Sequence, residues 1–285
     1  MGRPLGRTRQ TRRIAMDWDV IDLGTMAYAP ALERQRERNL AVSRGEAKPA
    51  VMLVEHEPVV TLSRRKTVRE NLLASPAELV RRGIDVQETD RGGDITYHGP
   101  GQLVVYPILR LTDHGLNLGS YMRLLEQAVI TTVAGWGVAG RTEKGATGVW
   151  VEAAAGGSSP SGQSLGSAKL CAMGVRVRKH TTMHGLALNV TTDLTAFETI
   201  DPCGLGGRPV TSLADLLGPS CPTMAQIKQR LIAELALALD RAGPDPGARN
   251  QAERSCSATA PVGRRTTGDR PEAGSVSGNG SETKP

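Results

Sequence analysis

Residues 91–107 read RGGDITYHGPGQLVVYP, and this stretch restricts the fold more than any other in the chain. A polar-aromatic run through Thr96, Tyr97 and His98 turns at Gly99-Pro100-Gly101 and enters the apolar residues 103–109, which predicts strand, tight turn, strand. Glycine loses more conformational entropy on ordering than any other residue, so four glycines and a proline within eleven residues make a poor sheet former. The composition is explained if a ligand must lie close to the backbone, with Arg91 and His98 at its edge.

The rest of the chain supplies alternating elements. Residues 28–42 have helical spacing, residues 50–61 form a strand that bends at His56 and Pro58, residues 68–83 are helical, and residues 84–89 form a strand. Asn117 or Ser120 caps a helix running to Ala134, with Leu125, Ala128, Val129 and Val133 on its buried face and Gly135 and Gly137 stopping it. Gly135, Gly137 and Gly140 match the spacing of a dinucleotide fingerprint. They close a helix instead of opening one, so no nucleotide site is read there. A short strand at 148–152 and a flexible loop at 153–167 precede residues 169–178 and 181–190, a hairpin in which Met173, Val175 and Val177 face one way and Arg176 and Arg178 face solvent. A helical turn comes after Asp193. Ser212 with Asp215 and Thr223 with Gln226 carry capping-box spacing, and the second opens a helix over 224–241 with Ile227, Leu231, Leu235 and Ala238 on one face.

The 285 residues carry a formal net charge of +6, and its location decides what it means. Residues 1–15 hold five arginines and no acid, and residues 244–285 hold six basic against five acidic residues, so residues 16–243 sum to zero. The basic excess belongs to the ends, and no nucleic-acid groove follows from it. The expected organisation is a disordered basic extension over 1–15, with Met16 as an alternative start, one domain over 16–243, and a disordered tail over 244–285. No apolar run approaches the ~20 residues that span a bilayer, so a cytoplasmic protein without a membrane partner is expected.

Four cysteines at irregular spacing do not suggest a disulfide framework. Cys171 reads as a small buried hydrophobe, Cys256 lies in the tail, and Cys221 has no assigned role. Cys203 stands between Pro202 and Gly204 with few apolar neighbours, a setting that presents a thiol in fixed geometry. From that setting a nucleophile and an idle loop thiol are both open, because a nucleophilic thiolate needs a cation to lower its pKa and only Arg208 lies near in sequence. Lys169, at the head of a mostly apolar strand, is either a solvated strand end or a functional amine. His98 and His184 each precede a glycine at a turn, which suits a ligand-facing role. His180 and His184 lack the cysteine pair that would make their spacing a zinc signature.

In this order and at these separations, residues 91–107, 169–178, 184–190 and the block of Asp201, Cys203 and Gly204 resemble the lipoyl(octanoyl) transferase family over about residues 16–240. The resemblance implies the biotin and lipoate protein ligase fold, an α/β domain with a mixed sheet flanked by helices. It implies transfer of an octanoyl or lipoyl group from acyl carrier protein to a lysine of a lipoyl domain through a cysteine thioester. By resemblance Cys203 is the nucleophile and Lys169 lowers its pKa. The acyl-binding segments fall on Arg91, Gly92, Gly93, Asp94, Ile95, Thr96, Tyr97 and His98, on Ala172, Met173 and Gly174, and on Gly185, Leu186 and Ala187, with His184 a further candidate. The resemblance implies no metal and no cofactor, the donor being carried on the phosphopantetheine of octanoyl-acyl carrier protein. The implied acceptors are lipoyl domains of 2-oxoacid dehydrogenase complexes and the glycine cleavage H protein. This chain departs from the pattern at Ser63, where the family usually has glycine before the basic pair Arg64 and Arg65, and in the length of the 153–167 loop. Two other readings use the same features: an ATP-dependent lipoate ligase on the same fold, and a non-catalytic protein that binds acyl carriers or lipoyl domains.

Overall fold

Two sheets divide the strands, and the chain passes between them at two proline- or glycine-bearing joints. The computed structural model describes residues 18–65, 67–152, 166–201 and 208–243. The residues of both ends, the loop from 153 to 165 and the segment 202–207 lie outside this set, and with them Cys203 and Cys256.

The strands are β1 (Asp19–Met26), β2 (Ala50–His56), β3 (Val59–Leu62), β4 (Asp85–Glu88), β5 (Ile95–His98), β6 (Gln102–Ile108), β7 (Arg141–Glu143), β8 (Ala146–Val151), β9 (Ala168–Arg178) and β10 (Thr181–Asn189). The larger sheet has the order β1-β2-β6-β10-β9-β8-β7 and the smaller β4-β3-β5. β1 and β2 are parallel, joined across the helix α1 (Tyr28–Arg44), and the remaining pairs of the large sheet are antiparallel, which makes it mixed.

The 50–61 stretch, expected as one bent strand, is two strands in different sheets. Glu57 and Pro58 separate β2 from β3, since proline has no N–H to continue a ladder. The 95–108 stretch behaves the same way: β5 pairs with β3 and β6 with β2 and β10, so the Gly99-Pro100-Gly101 turn links two sheets and closes no hairpin. Residues 68–83 split into a 3-10 turn (Val68–Asn71) and the short helix α2 (Pro76–Arg81). The cause is Ser75, whose hydroxyl accepts from the Glu78 N–H and restarts the helix with Pro76 in its first turn.

Both faces of the large sheet are covered. Val51, Leu53, Leu103 and Val105 pack on helices α3 (Leu118–Ala134) and α5 (Met224–Ala242), while Met52, Val54, Val104 and Tyr106 point to the opposite face, packed with Val42 of α1. A strand buried on two faces has no polar side to display, which is why β2 and β6 read as continuous apolar runs. Asn117 caps α3 in a capping box with Ser120, and the expected Leu125, Ala128, Val129 and Val133 are all buried. On α5, Ile227, Leu231 and Leu235 are buried as expected, but Ala236 and Leu239 complete the face and Ala238 is only half-buried. The short helix α4 (Leu213–Leu217) starts at Ser212, whose hydroxyl accepts from Asp215 N–H. β9 and β10 form the expected hairpin, with Lys179 and His180 both at positive φ in its two-residue turn. Val177 is exposed, and Arg176 is held by an ion pair to Asp90, contrary to the simple alternation expected there. No helix among the described residues is long and apolar enough to cross a membrane.

Candidate active site

A cleft of about 390 Å³ opens at the seam between the two sheets, within the range of small-molecule sites. The loop Arg91–Gly93 and β5 form one side, β9 and β10 the other, and Tyr28, Leu118 and Met122 contribute from the helices. Of the residues expected here from sequence, Arg91, Gly92, Gly93, Asp94, Ile95, Thr96, His98, Lys169, Ala172, Met173, Gly174, His184, Gly185, Leu186 and Ala187 line it. Tyr97 does not. One residue along a strand reverses the side-chain direction, and Tyr97 packs edge-on to Phe197 in the core of the small sheet.

The glycines make this seam close. Gly92 N–H donates to the Val175 carbonyl at 2.9 Å, so the Arg91 loop lies directly on β9. A Cβ on Gly174 would overlap the Gly92 carbonyl oxygen, and one on Gly185, its partner across the β9–β10 ladder, would collide with the Val105 carbonyl and stand 2.8 Å from Pro107 Cδ. The Arg91 guanidinium donates to the Thr61 carbonyl and hydroxyl at 2.9 Å each and to the Gly92 carbonyl at 3.2 Å. It therefore braces the loop against β3.

Two neutral histidines, His98 and His184, line the cleft, and a third, His56, packs against His98. His98 Nδ1 donates to Gln102 Oε1 at 2.7 Å, because the Gln102 amide nitrogen is already committed to the Tyr97 carbonyl and to Asn189 Oδ1. Nε2 of His98 thus keeps its lone pair. His56 Nδ1 donates to the Met26 carbonyl at 2.9 Å, which leaves its Nε2 to accept from the Tyr106 hydroxyl at 2.7 Å. Burial holds His56 down to about 4, and burial followed by the neighbouring His56 holds His98 down to about 3. His184 has a positive φ of 58°, and its backbone N–H is fixed by Gln35 Oε1 at 2.9 Å. Its Nε2 lies 3.0 Å from Asp90 Oδ1, yet burial, with Arg91 and Arg176 adding to it, keeps the ring at about 3. The carboxylate is matched instead by Arg176, so the contact is a hydrogen bond from a neutral imidazole.

Lys169 sits half-buried at the head of β9, with Nζ 4.7 Å from the Trp150 ring centroid; the Arg208 guanidinium lies 3.7 Å from the same ring. Its backbone is locked on both sides: N–H donates to the Pro209 carbonyl at 2.9 Å and the carbonyl accepts from Thr211 N–H at 3.0 Å. At the other side, Asp201 N–H donates to the Asn71 carbonyl at 2.8 Å. The described chain thus departs at a tethered Asp201 and resumes at residues tied to Lys169; the expected nucleophile, Cys203, is between these points and outside the described residues. Cys171 is a buried hydrophobe as expected, its thiol pushed far up by burial. Cys221 is half-buried beneath the Val190 carbonyl. His180 is exposed at the hairpin turn while His184 is buried, so their spacing brings no common ligand site.

Tyr28, Tyr106, Leu118, Met122 and the segment Gly145–Thr147 also line the cleft and were not singled out from sequence. Tyr28 opens a helix, where an aromatic reads as core, and it stacks on His98 at 6.2 Å only because α1 returns over β10.

The lipoyl protein ligase A/B catalytic-domain model matches residues 27–236. The chain is 46% identical over 214 residues to an octanoyltransferase of Chloroflexus aurantiacus, covering 75% of this chain and 90% of that protein. It is 45% identical over 234 residues to an octanoyltransferase of Bacteroides fragilis, covering 80% and 98%. Among solved structures, its fold is similar to that of a bi-partite lipoate protein ligase from Thermoplasma acidophilum, with TM-score 0.59 and 18% identity over 79% of this chain and 84% of that one. It is also similar to a lipoate-protein ligase A bound with ATP, with TM-score 0.57 and 18% identity over 79% and 86%.

Proposed function

This chain belongs to the lipoyl protein ligase A/B catalytic-domain family, and on that premise we propose how it works as an octanoyltransferase of protein lipoylation. The Cys203 thiolate attacks the carbonyl of an octanoyl thioester on acyl carrier protein. A C–S bond forms to Cys203, the C–S bond to the carrier's pantetheine breaks, and the pantetheine thiolate leaves with a proton from the Lys169 ammonium, which becomes a neutral amine. The amine of a lipoyl-domain lysine then attacks the acyl-enzyme. A C–N bond forms, the Cys203 C–S bond breaks, and the amine proton passes to Lys169 or to the departing thiolate. Backbone amides near Gly174 or in the Cys203 loop stabilise the oxyanion.

The observation that carries this reading is the tie between Lys169 and the segment downstream of Cys203. The same residue lines the cleft and is bridged through its backbone to Pro209 and Thr211, six and eight positions after the cysteine. An ammonium there lowers the pKa of a nearby thiol. The cleft's apolar walls, including Val104, Met173 and Leu186, suit an alkyl chain, each buried CH2 contributing about 0.8 kcal/mol. Neutral His98 and His184 leave that slot without fixed charge of their own.

Thioester exchange is nearly isoenergetic and acyl transfer to an amine runs downhill, so the reaction needs neither nucleotide nor metal. Acceptors are lipoyl domains, including those of 2-oxoacid dehydrogenase complexes and the glycine cleavage H protein. A reducing, cytoplasmic setting fits a chain whose described cysteines are free thiols. Intact-mass measurement tests the proposal: octanoyl-acyl carrier protein should leave one octanoyl adduct on the parent protein and none on Cys203→Ser. An adduct that survives the substitution, or product formed from free octanoate only when ATP is present, refutes it.

A further inference from the structure

A second hollow, of about 530 Å³, lies beside the cleft and is lined by five cations: Arg36, Arg64, Arg176, Arg178 and Lys179. Residues 16–243 carry no net charge, so this is segregation of charge within a neutral body. Two carboxylates share the hollow. Asp90 is committed to Arg176 and His184, and Glu37 alone is left against the other four cations, of which Arg36 also pairs with Glu33 at 2.5 Å. Arg64, Arg178 and Lys179 are exposed and make no ion pair among the described residues. The cations are close enough to repel: beyond the effect of burial, Arg64, Arg178 and Arg36 each weaken the hold of Arg176 on its proton.

We propose that this hollow docks an acidic protein surface, and that the surface belongs to the carrier that delivers the acyl thioester; the inference rests on the donor assignment above. Reach decides between donor and acceptor. Arg176 lies seven residues along β9 from Lys169, roughly 23 Å at the strand's rise. A lysine side chain spans only about 6 Å, whereas a phosphopantetheine arm of about fourteen bonds extends to roughly 18 Å at the pitch of an extended chain. The root of the arm need stand only about 5 Å inside Arg176, within the footprint of a body seated on the hollow, whereas a lysine would have to be rooted about 17 Å inside it, over the cleft itself, so the hollow suits the carrier of a pantetheine thioester and not the lysine-bearing acceptor. Complementary charge would raise the encounter rate and orient the carrier, and salt would weaken both.

The test uses the full chain and the variant Arg64→Glu, Arg178→Glu and Lys179→Glu, with the milder Arg64→Gln, Arg178→Gln and Lys179→Gln as a control for folding. Three quantities are measured: KM for octanoyl-acyl carrier protein, turnover of uncharged octanoyl-pantetheine, and KM for the lipoyl-domain acceptor. A titration of labelled carrier protein onto the enzyme gives binding without turnover. The expected result is a rise of tenfold or more in carrier-donor KM for the Glu variant and a smaller rise for the Gln variant. Carrier binding should weaken in parallel, with octanoyl-pantetheine turnover and acceptor KM within twofold of the parent. Carrier KM and binding within twofold of the parent would overturn the proposal, as would an effect confined to the acceptor or an equal loss with both donors in both variants. If the parent turns over neither donor, the acyl-shuttle reading falls, and the titration alone decides whether the hollow binds the carrier.

Discussion

Lowering the pH from 7 to 5 should remove about 5 to 6 kcal/mol of folding stability, with His56, His98 and His184 as the cause. Burial holds the three imidazoles at about 4, 3 and 3 in the folded protein. In the unfolded chain each titrates near 6.5. A base whose folded pKa is depressed leaves the unfolded chain binding more protons, so stability is complete above about pH 6.5 and is lost as the pH falls towards the folded values. The loss approaches about 1.36 kcal/mol per pH unit for each ring, which integrates to about 2 kcal/mol per histidine between pH 7 and pH 5. At pH 5 all three folded rings are still neutral, so the size of the loss depends on the unfolded value and hardly on the folded ones. The depressed carboxyls of Asp22, Glu143 and Asp193 are withdrawn only at lower pH, which leaves this window to the histidines. A domain with stability of about 5 to 15 kcal/mol would register this readily in equilibrium urea unfolding at the two pH values. His56→Gln should flatten the pH dependence by about one third, whatever it does to the stability at pH 7. A loss under about 2 kcal/mol, or ring resonances assigned to His56, His98 or His184 that titrate near 6.5 in the folded protein, would refute the assignment of three buried neutral rings.

Gly174→Ala should push the Arg91 loop off β9, costing about 1 to 3 kcal/mol in chemical unfolding and raising KM for the octanoyl donor; unchanged stability and kinetics would show that the loop yields freely. Lys169→Met keeps an unbranched side chain, one heavy atom shorter, and removes the charge. It should slow single-turnover adduct formation by roughly 10²-fold at pH 7, with partial recovery near pH 9, where the thiol ionises unaided. Thr223→Ala removes the hydroxyl that accepts from Gln226 N–H and should cost about 1 kcal/mol, lowering the melting midpoint by about 2 to 4 °C with activity unchanged.

The three long helices and the hairpin were legible in the sequence because their causes are local. Asn117 caps α3 and Thr223 caps α5, Gly135 stops α3, and Lys179 and His180 fall between two alternating runs. Sheet membership was not legible. Residues 50–61 have one continuous apolar pattern, and nothing in it tells that β2 joins β6 while β3 joins β5; that choice is made by partners about fifty and forty residues away. β1 was missed because an exposed edge strand with acidic and glycine positions carries a weak apolar signal, and β7 because it is three residues long. At the cleft, close backbone approach was visible as glycine at 92, 174 and 185. The contributions of Tyr28, Leu118 and Met122 were not, since an aromatic or aliphatic residue on a helix looks the same whether it faces core or cavity. Tyr97 was misassigned for want of strand phase: its neighbours Thr96 and His98 face the cleft and it does not.

Because the Glu57-Pro58 and Gly99-Pro100-Gly101 joints carry the chain from one sheet to the other, the gap between the sheets behaves like a book with its spine at those two crossings. Rotation about a few backbone dihedrals there would part or close the leaves while each page stays laddered, with the Gly92 to Val175 hydrogen bond as a clasp that must open first. Accommodation of a thicker or longer guest is thereby uncoupled from the integrity of either page. Substitutions at the spine, remote from the guest itself, offer a route to retune what fits.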